Sequence, residues 1–185
     1  KGDGDHIWLE DILSHKNDSL QSGKPLEYKP DETADDVAAI LYTSGTTAGS
    51  HGTLLSHNNI IFAEKSFIKM LKLDESDAMF MPSPLTHVVG FHHGIVAMMI
   101  CGGKLVLMNT YEKNGAMEIM DREGCTLTMG ATPFIYDYIQ CMDEGAKKPS
   151  RMKFMLCGGA PVPGDLVRKG WNNYGISICE VYGST

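Results

Sequence analysis

The pattern of apolar and polar positions divides the chain near residue 36. Residues 1–36 are polar and turn-rich, with Gly2, Gly4, Gly23, Pro25 and Pro30, and they end in the acidic residues Asp31, Glu32, Asp35 and Asp36. They read as a lead-in segment, with Ile7-Trp8-Leu9 as its apolar anchor to the body. From Val37 the character changes. Val37–Tyr42 is a short apolar run that predicts a buried strand, and a polar loop, Thr43–Ser50, follows at once. Gly52–Leu55 predicts a second short strand. Ser56 is placed to cap a helix running to about Leu71, with Ile60, Ile61, Ala63, Phe67, Ile68 and Leu71 as its apolar stripe. Further on, strand-like runs (Ala78–Met81, Lys104–Met108, Thr126–Met129, Phe154–Cys157, Ile176–Val181) alternate with helix-like ones (Gly90–Ile100, Ala116–Asp121, Pro133–Met142, Gly164–Asn172). Gly90–Ile100 has almost no polar face, so it predicts a buried helix, and Pro133 suits a first helical turn. Such alternation predicts βαβ crossovers: an α/β domain over 37–185, with a mainly parallel sheet and helices on both faces.

Composition narrows the class. The 185 residues are 43% apolar and 21% charged, a balance that buries a core and argues against disorder. A formal charge of −7 argues against a nucleic-acid surface. The longest apolar stretch, Ile95–Cys101, is seven residues, against the roughly 20 a bilayer-spanning helix needs. Five cysteines without CxxC spacing point to reduced cytosolic thiols, and hence a cytoplasmic protein, rather than to disulfides or a zinc knuckle. His87, His92 and His93 cluster around Gly90, but lack the spacing of a metal site.

Ligands of open α/β sheets bind at the carboxyl ends of strands, and three turns there are unusual. The first, Thr43-Ser44-Gly45-Thr46-Thr47 and on to Gly52, alternates hydroxyls with glycines. Backbone N–H groups and hydroxyls of that kind suit phosphate oxygens. The same composition suits a surface linker, and no Walker A lysine follows. The second, Gly158-Gly159-Ala160-Pro161, follows a strand and lets a flat ring approach the backbone, or else makes a tight turn. The third, Tyr182-Gly183-Ser184-Thr185, offers an aromatic ring and two hydroxyls at a strand end. His87 also falls where a strand should end, as a hydrogen-bonding or a capping residue. No GxSxG elbow supports a serine hydrolase.

In this order and spacing the turns resemble the adenylate-forming enzymes: acyl-CoA synthetases, luciferases and peptide-synthetase adenylation domains. Leu41-Tyr42-Thr43-Ser44-Gly45-Thr46-Thr47 resembles the family's phosphate loop and Ser56-His57-Asn58-Asn59 the segment after it. Pro84-Leu85-Thr86-His87 with Gly90, then Gly102-Gly103-Lys104-Leu105-Val106-Leu107, is similar to its next block. Gly158-Gly159-Ala160-Pro161 and Tyr182-Gly183-Ser184-Thr185 match its adenine and phosphate motifs. Within the family, Pro82–Gly94 and Cys125–Asp137 look like the short- to medium-chain fatty acyl-CoA synthetases of enteric bacteria.

The resemblance implies part of the large N-terminal domain of such an enzyme, with ATP, Mg²⁺ and coenzyme A as cofactor and co-substrates. A carboxylic acid is joined to AMP and then passed to the thiol of coenzyme A. It implies that Thr43–Thr47 hold the β- and γ-phosphates, that Tyr182 stacks on adenine opposite Gly158–Pro161, and that Thr185 reaches the α-phosphate. It places His87 at the carboxylate end of the acyl group. It makes Val88, Val89, Gly94, Gly130, Ala131 and Thr132 the acyl walls. The family's lysine in the phosphate loop is replaced by His51, and histidine is mostly uncharged at pH 7. The family's Mg²⁺-binding Glu follows the position of Thr185, and its hinge, C-terminal domain and catalytic Lys lie further on. The expectation is therefore a central portion of the enzyme, inactive alone. A nucleotide-binding fragment without catalysis, or an amino-acid adenylation domain, stays open.

Overall fold

The computed structural model describes residues 33–43 and 51–183, which apart from Thr33 belong to one compact unit beginning at Ala34. Two strands, β1 (Val37–Thr43) and β2 (His51–Ser56), form an antiparallel pair in a sheet of their own. The apolar run at Val37 was expected to be a buried strand. Instead Val37, Ile40 and Tyr42 are exposed, because β1 pairs only with β2 and no layer of described residues covers it.

Helix α1 (His57–Leu71) begins where predicted. The Ser56 hydroxyl accepts the Asn59 N–H at 3.2 Å, and Asn59 Oδ1 accepts the Ser56 N–H at 3.1 Å. This reciprocal capping satisfies two of the donors that every helix start leaves open. Ile60 and Phe67 of the expected stripe are buried, but Ile61 is exposed and Glu64 is buried in the middle of that face.

The main sheet has five parallel strands in the order β4 (Lys104–Val106), β3 (Ala78–Phe80), β5 (Leu127–Gly130), β6 (Phe154–Gly158) and β7 (Ser177–Val181). Successive side chains of each strand point to opposite faces, so each strand feeds two cores. Ala78, Phe80, Val106, Met155, Cys157 and Ile178 pack with α4 (Lys113–Arg122), α5 (Thr132–Asp143) and α6 (Gly164–Tyr174). Met79, Met81, Leu127, Met129 and Leu156 pack with Phe67 of α1 and with Ala97 and Met98. Helices thus cover both faces, as the alternation of elements predicts.

The segment expected as one apolar helix over Gly90–Ile100 is two pieces. Val89–Val96 is π-helical (α2), and Ala97–Cys101 continues as a short α-helix (α3). Met99 and Ile100 are exposed, so this helix is not buried all round. No helix among the described residues is long and apolar enough to cross a membrane.

The loop before β6 is tied down by Asp121 of α4. Its carboxylate accepts the Ser150 N–H at 2.8 Å and Lys147 Nζ at 3.0 Å. The Ser150 N–H first, then Lys147, holds its pKa at about 2 against an ordinary 3.8. A depressed carboxylate pKa stabilises the fold above the unfolded value and loses that effect as pH falls through the folded one. Asp121→Asn should therefore lower stability at pH 7, and the gap to the parent protein should close between about pH 4 and about pH 2. Urea unfolding across that range measures it; a gap independent of pH would remove the electrostatic account.

Candidate functional site

Because β3, β5, β6 and β7 are parallel and adjacent, their carboxyl ends open on one edge of the sheet. Pairings Phe80↔Thr128, Gly130↔Cys157 and Gly158↔Val181 bring the turns that follow into a row. That row carries Met81–His87 after β3, Ala131-Thr132 after β5, Gly159-Ala160-Pro161 after β6 and Tyr182-Gly183 after β7. Ligands of open parallel sheets occupy this edge.

His87 is exposed and held by its backbone. Its N–H donates to the Pro84 carbonyl at 3.0 Å, and its carbonyl accepts the Phe91 N–H at 2.9 Å. The Val89 N–H donates to His87 Nδ1 at 3.2 Å. With Nδ1 accepting, the neutral ring carries its hydrogen on Nε2. That leaves an outward N–H donor, suited to an oxygen of a carboxylate or ester. Val88 and Val89 are half-buried beside it. Gly94 is buried against the sheet, where a Cβ would stand 3.3 Å from Met81 Cγ.

Gly130, Ala131 and Thr132 form the β5–α5 junction. Thr132 is buried, and its hydroxyl lies 3.1 Å from Cys157 Sγ. This contact joins the β5 turn directly to the β6 turn. In the latter, Gly159 has φ +88 with nothing within 4 Å of a Cβ position, so the backbone there is open to an incoming flat group. Ala160 and Pro161 are exposed, and the Tyr182 ring is fully so, at 100%. Gly158 pairs with Val181, so the glycine turn and the Tyr182 turn leave the sheet from neighbouring strands.

In the hairpin, Thr43 and His51 are register partners at the open end. Ser44, Gly45, Thr46, Thr47, Ser184 and Thr185 lie outside the described residues. Among the described residues no group of three or more His, Cys, Asp or Glu is placed to hold a metal ion.

Two features went unforeseen in the sequence. The first is a hollow of about 510 Å³ lined by Met81–Leu85, Leu107, Met108, Asn109 and Tyr111. Tyr111 donates to Asp137 Oδ2 at 2.8 Å, and burial raises its hydroxyl pKa well above the ordinary value. The second is Glu64, wholly buried against His92 and His93. A charged residue between Ile60 and Phe67 on the apolar stripe was the available signal.

Residues 4–185 match the AMP-binding enzyme family. The chain belongs to this family of adenylate-forming enzymes. It is 36% identical over 151 residues to a medium-chain fatty-acid–CoA ligase of Escherichia coli (strain K12), covering 82% of this chain and 26% of that protein. It is 27% identical over 152 residues to a feruloyl-CoA synthase of an Amycolatopsis species, covering 82% of this chain and 30% of that protein. Among solved structures, ATP-bound MatB from Rhodopseudomonas palustris superposes with a TM-score of 0.74 at 27% identity, over 84% of this chain and 30% of that one. O-succinylbenzoate coenzyme A synthetase from Bacillus subtilis with AMP shares the fold, with a TM-score of 0.74 over 83% of this chain and 31% of that one. The chain thus spans between a quarter and a third of the length of these relatives.

Proposed function

We propose that the protein activates a short- to medium-chain fatty acid as its acyl-adenylate and transfers the acyl group to coenzyme A. One observation carries this reading. Consecutive strand ends present an outward histidine donor, a small-residue junction, an open glycine turn and an exposed aromatic ring, in that order along one edge. The 36% identity to a medium-chain ligase supports the choice of acid.

In the first step a carboxylate oxygen attacks the α-phosphorus of ATP, and pyrophosphate leaves. In the second the thiolate sulfur of coenzyme A attacks the acyl carbon, and AMP leaves. Carboxylate and triphosphate repel each other, so the protein's part is alignment and charge stabilisation. His87 Nε2–H donates to the acyl oxygen. Tyr182 and the Gly158–Pro161 turn hold adenine between them. Val88, Val89 and the Gly130–Thr132 junction line the acyl chain, with Gly94 giving close contact behind them. Thr43 to Thr47, His51, Gly183, Ser184 and Thr185 bind the phosphates in this scheme, and Mg²⁺ accompanies ATP.

Exchange of radiolabelled pyrophosphate into ATP tests the reading. In the full-length protein, hexanoate and octanoate should support exchange well above a no-acid control, and amino acids should not. Exchange driven by amino acids alone would replace the fatty-acid reading with an aminoacyl one.

A further inference from the structure

Glu64 lies on the apolar face of α1 and is completely buried. Each carboxylate oxygen is taken by a separate ring. His92 Nδ1–H donates to Oε1 at 3.2 Å and His93 Nδ1–H donates to Oε2 at 3.1 Å. Burial pushes the Glu64 carboxyl up, and the bonds from His92 and His93 outweigh it, so its pKa stays below the ordinary carboxylate value. An ionised carboxylate only accepts, so both rings carry their hydrogen on Nδ1. The His93 ring also packs on Phe67, with centroids 4.4 Å apart. His92 Nε2 is buried without a partner among the described residues.

Two neighbouring residues reach one carboxylate here, although adjacent side chains of an α-helix diverge around the axis. The wider turn of α2 brings them together. Val89–Val96 is π-helical over eight residues, and the Ala97 N–H donates to the His92 carbonyl. Such turns are rare, are mostly single bulges, and cluster at functional sites. A run this long needs something to hold it. Glu64 holds it from α1, and Gly90 seats it closely against the Pro84 carbonyl. The residues leading into this turn are His87, Val88 and Val89.

We infer that Glu64 is a positioning residue: by holding His92 and His93 it fixes the wide register of α2, which sets where His87, Val88 and Val89 meet the acyl group. This rests on the acyl-ligase reading above and names the element that shapes its substrate pocket. No contact of Glu64 with substrate is involved; its effect passes through the two histidines.

The experiment uses non-hydrolysable acyl-adenylate analogues with four-, six- and eight-carbon chains. Affinities are measured by calorimetry for the parent protein, Glu64→Gln and His93→Gln. Glu64→Gln keeps the side chain's shape but gives up one of the two acceptors. It should bind the preferred analogue about tenfold more weakly, the scale set by one hydrogen bond to a charged group, and its ranking of chain lengths should change. His93→Gln, which gives up the less buried of the two rings, should move both readouts the same way and by less, and it decides the matter should Glu64→Gln fail to fold. Ile139→Val, buried on the far side of the sheet, serves as the control: it lowers stability and leaves the ranking unchanged. Nitrogen NMR of the histidines should show protonated Nδ1 on both rings in the parent protein and the loss of at least one in Glu64→Gln. Unchanged affinities and ranking in both variants would overturn the inference while leaving the ligase reading standing. A parent protein that binds none of the analogues would remove the ligase reading itself.

Discussion

Gly90→Ala should destabilise the protein by about 3 kcal/mol or more, the upper end of what forced overpacking costs. A Cβ at Gly90 would stand 2.2 Å from the Pro84 carbonyl oxygen and 2.8 Å from its carbon. Backbone cannot swing aside as a flexible side chain can. That carbonyl is also engaged, since it accepts the His87 N–H at 3.0 Å. Either α2 lifts away from Pro84–Leu85 or the turn that aims His87 is broken. Acyl binding should suffer in both cases. Denaturant unfolding followed by near-ultraviolet dichroism measures the first effect. A loss below about 0.5 kcal/mol, the size of an ordinary surface change, would mean that the helix does not sit this close.

Phe80→Ala should cost about 3–5 kcal/mol, the usual range for removing a buried phenylalanine. Phe80 is 0% exposed, on the strand flanked by β4 and β5. Its ring belongs to the core shared with α4, α5 and α6. The next residues, Met81–Leu85, line the hollow beside the site and lead to His87. Strand β3, which carries Phe80, runs directly into the segment that holds the exposed histidine. Both stability and exchange activity should fall, with stability falling in chemical denaturation even without ligand. A variant as stable as the parent would mean that neighbouring side chains collapse into the space.

Much of the fold was legible because the signals are local. Ser56 ahead of an apolar stripe marks a helix start whatever lies beyond it. The apolar runs at Ala78, Thr126 and Phe154 became strands nearly as bounded in the sequence. The turns after these runs and after Val181 lie at strand ends, where His87, Gly158–Pro161 and Tyr182 stood out, whereas Gly130–Thr132 was named only through the family resemblance. Other features were not legible. Val37–Tyr42 has a buried strand's composition, yet burial depends on what packs above it. The apolar run at Gly90 looks like any buried helix, since nothing in a residue's hydrophobicity distinguishes a π turn from an α turn.

By itself the sequence determined the order of the elements, their hydrophobic faces, and the turns rich in hydroxyls, glycines and an aromatic ring. Each of these follows from a residue and its neighbours within a turn or two of chain. Tertiary structure alone decided that the strands run β4-β3-β5-β6-β7, so that four separate turns share one edge. It alone paired Glu64 with His92, 28 residues away. Such choices turn on which surfaces exclude water together and which buried charge finds a partner, and those free energies belong to the packed molecule and not to any stretch of it.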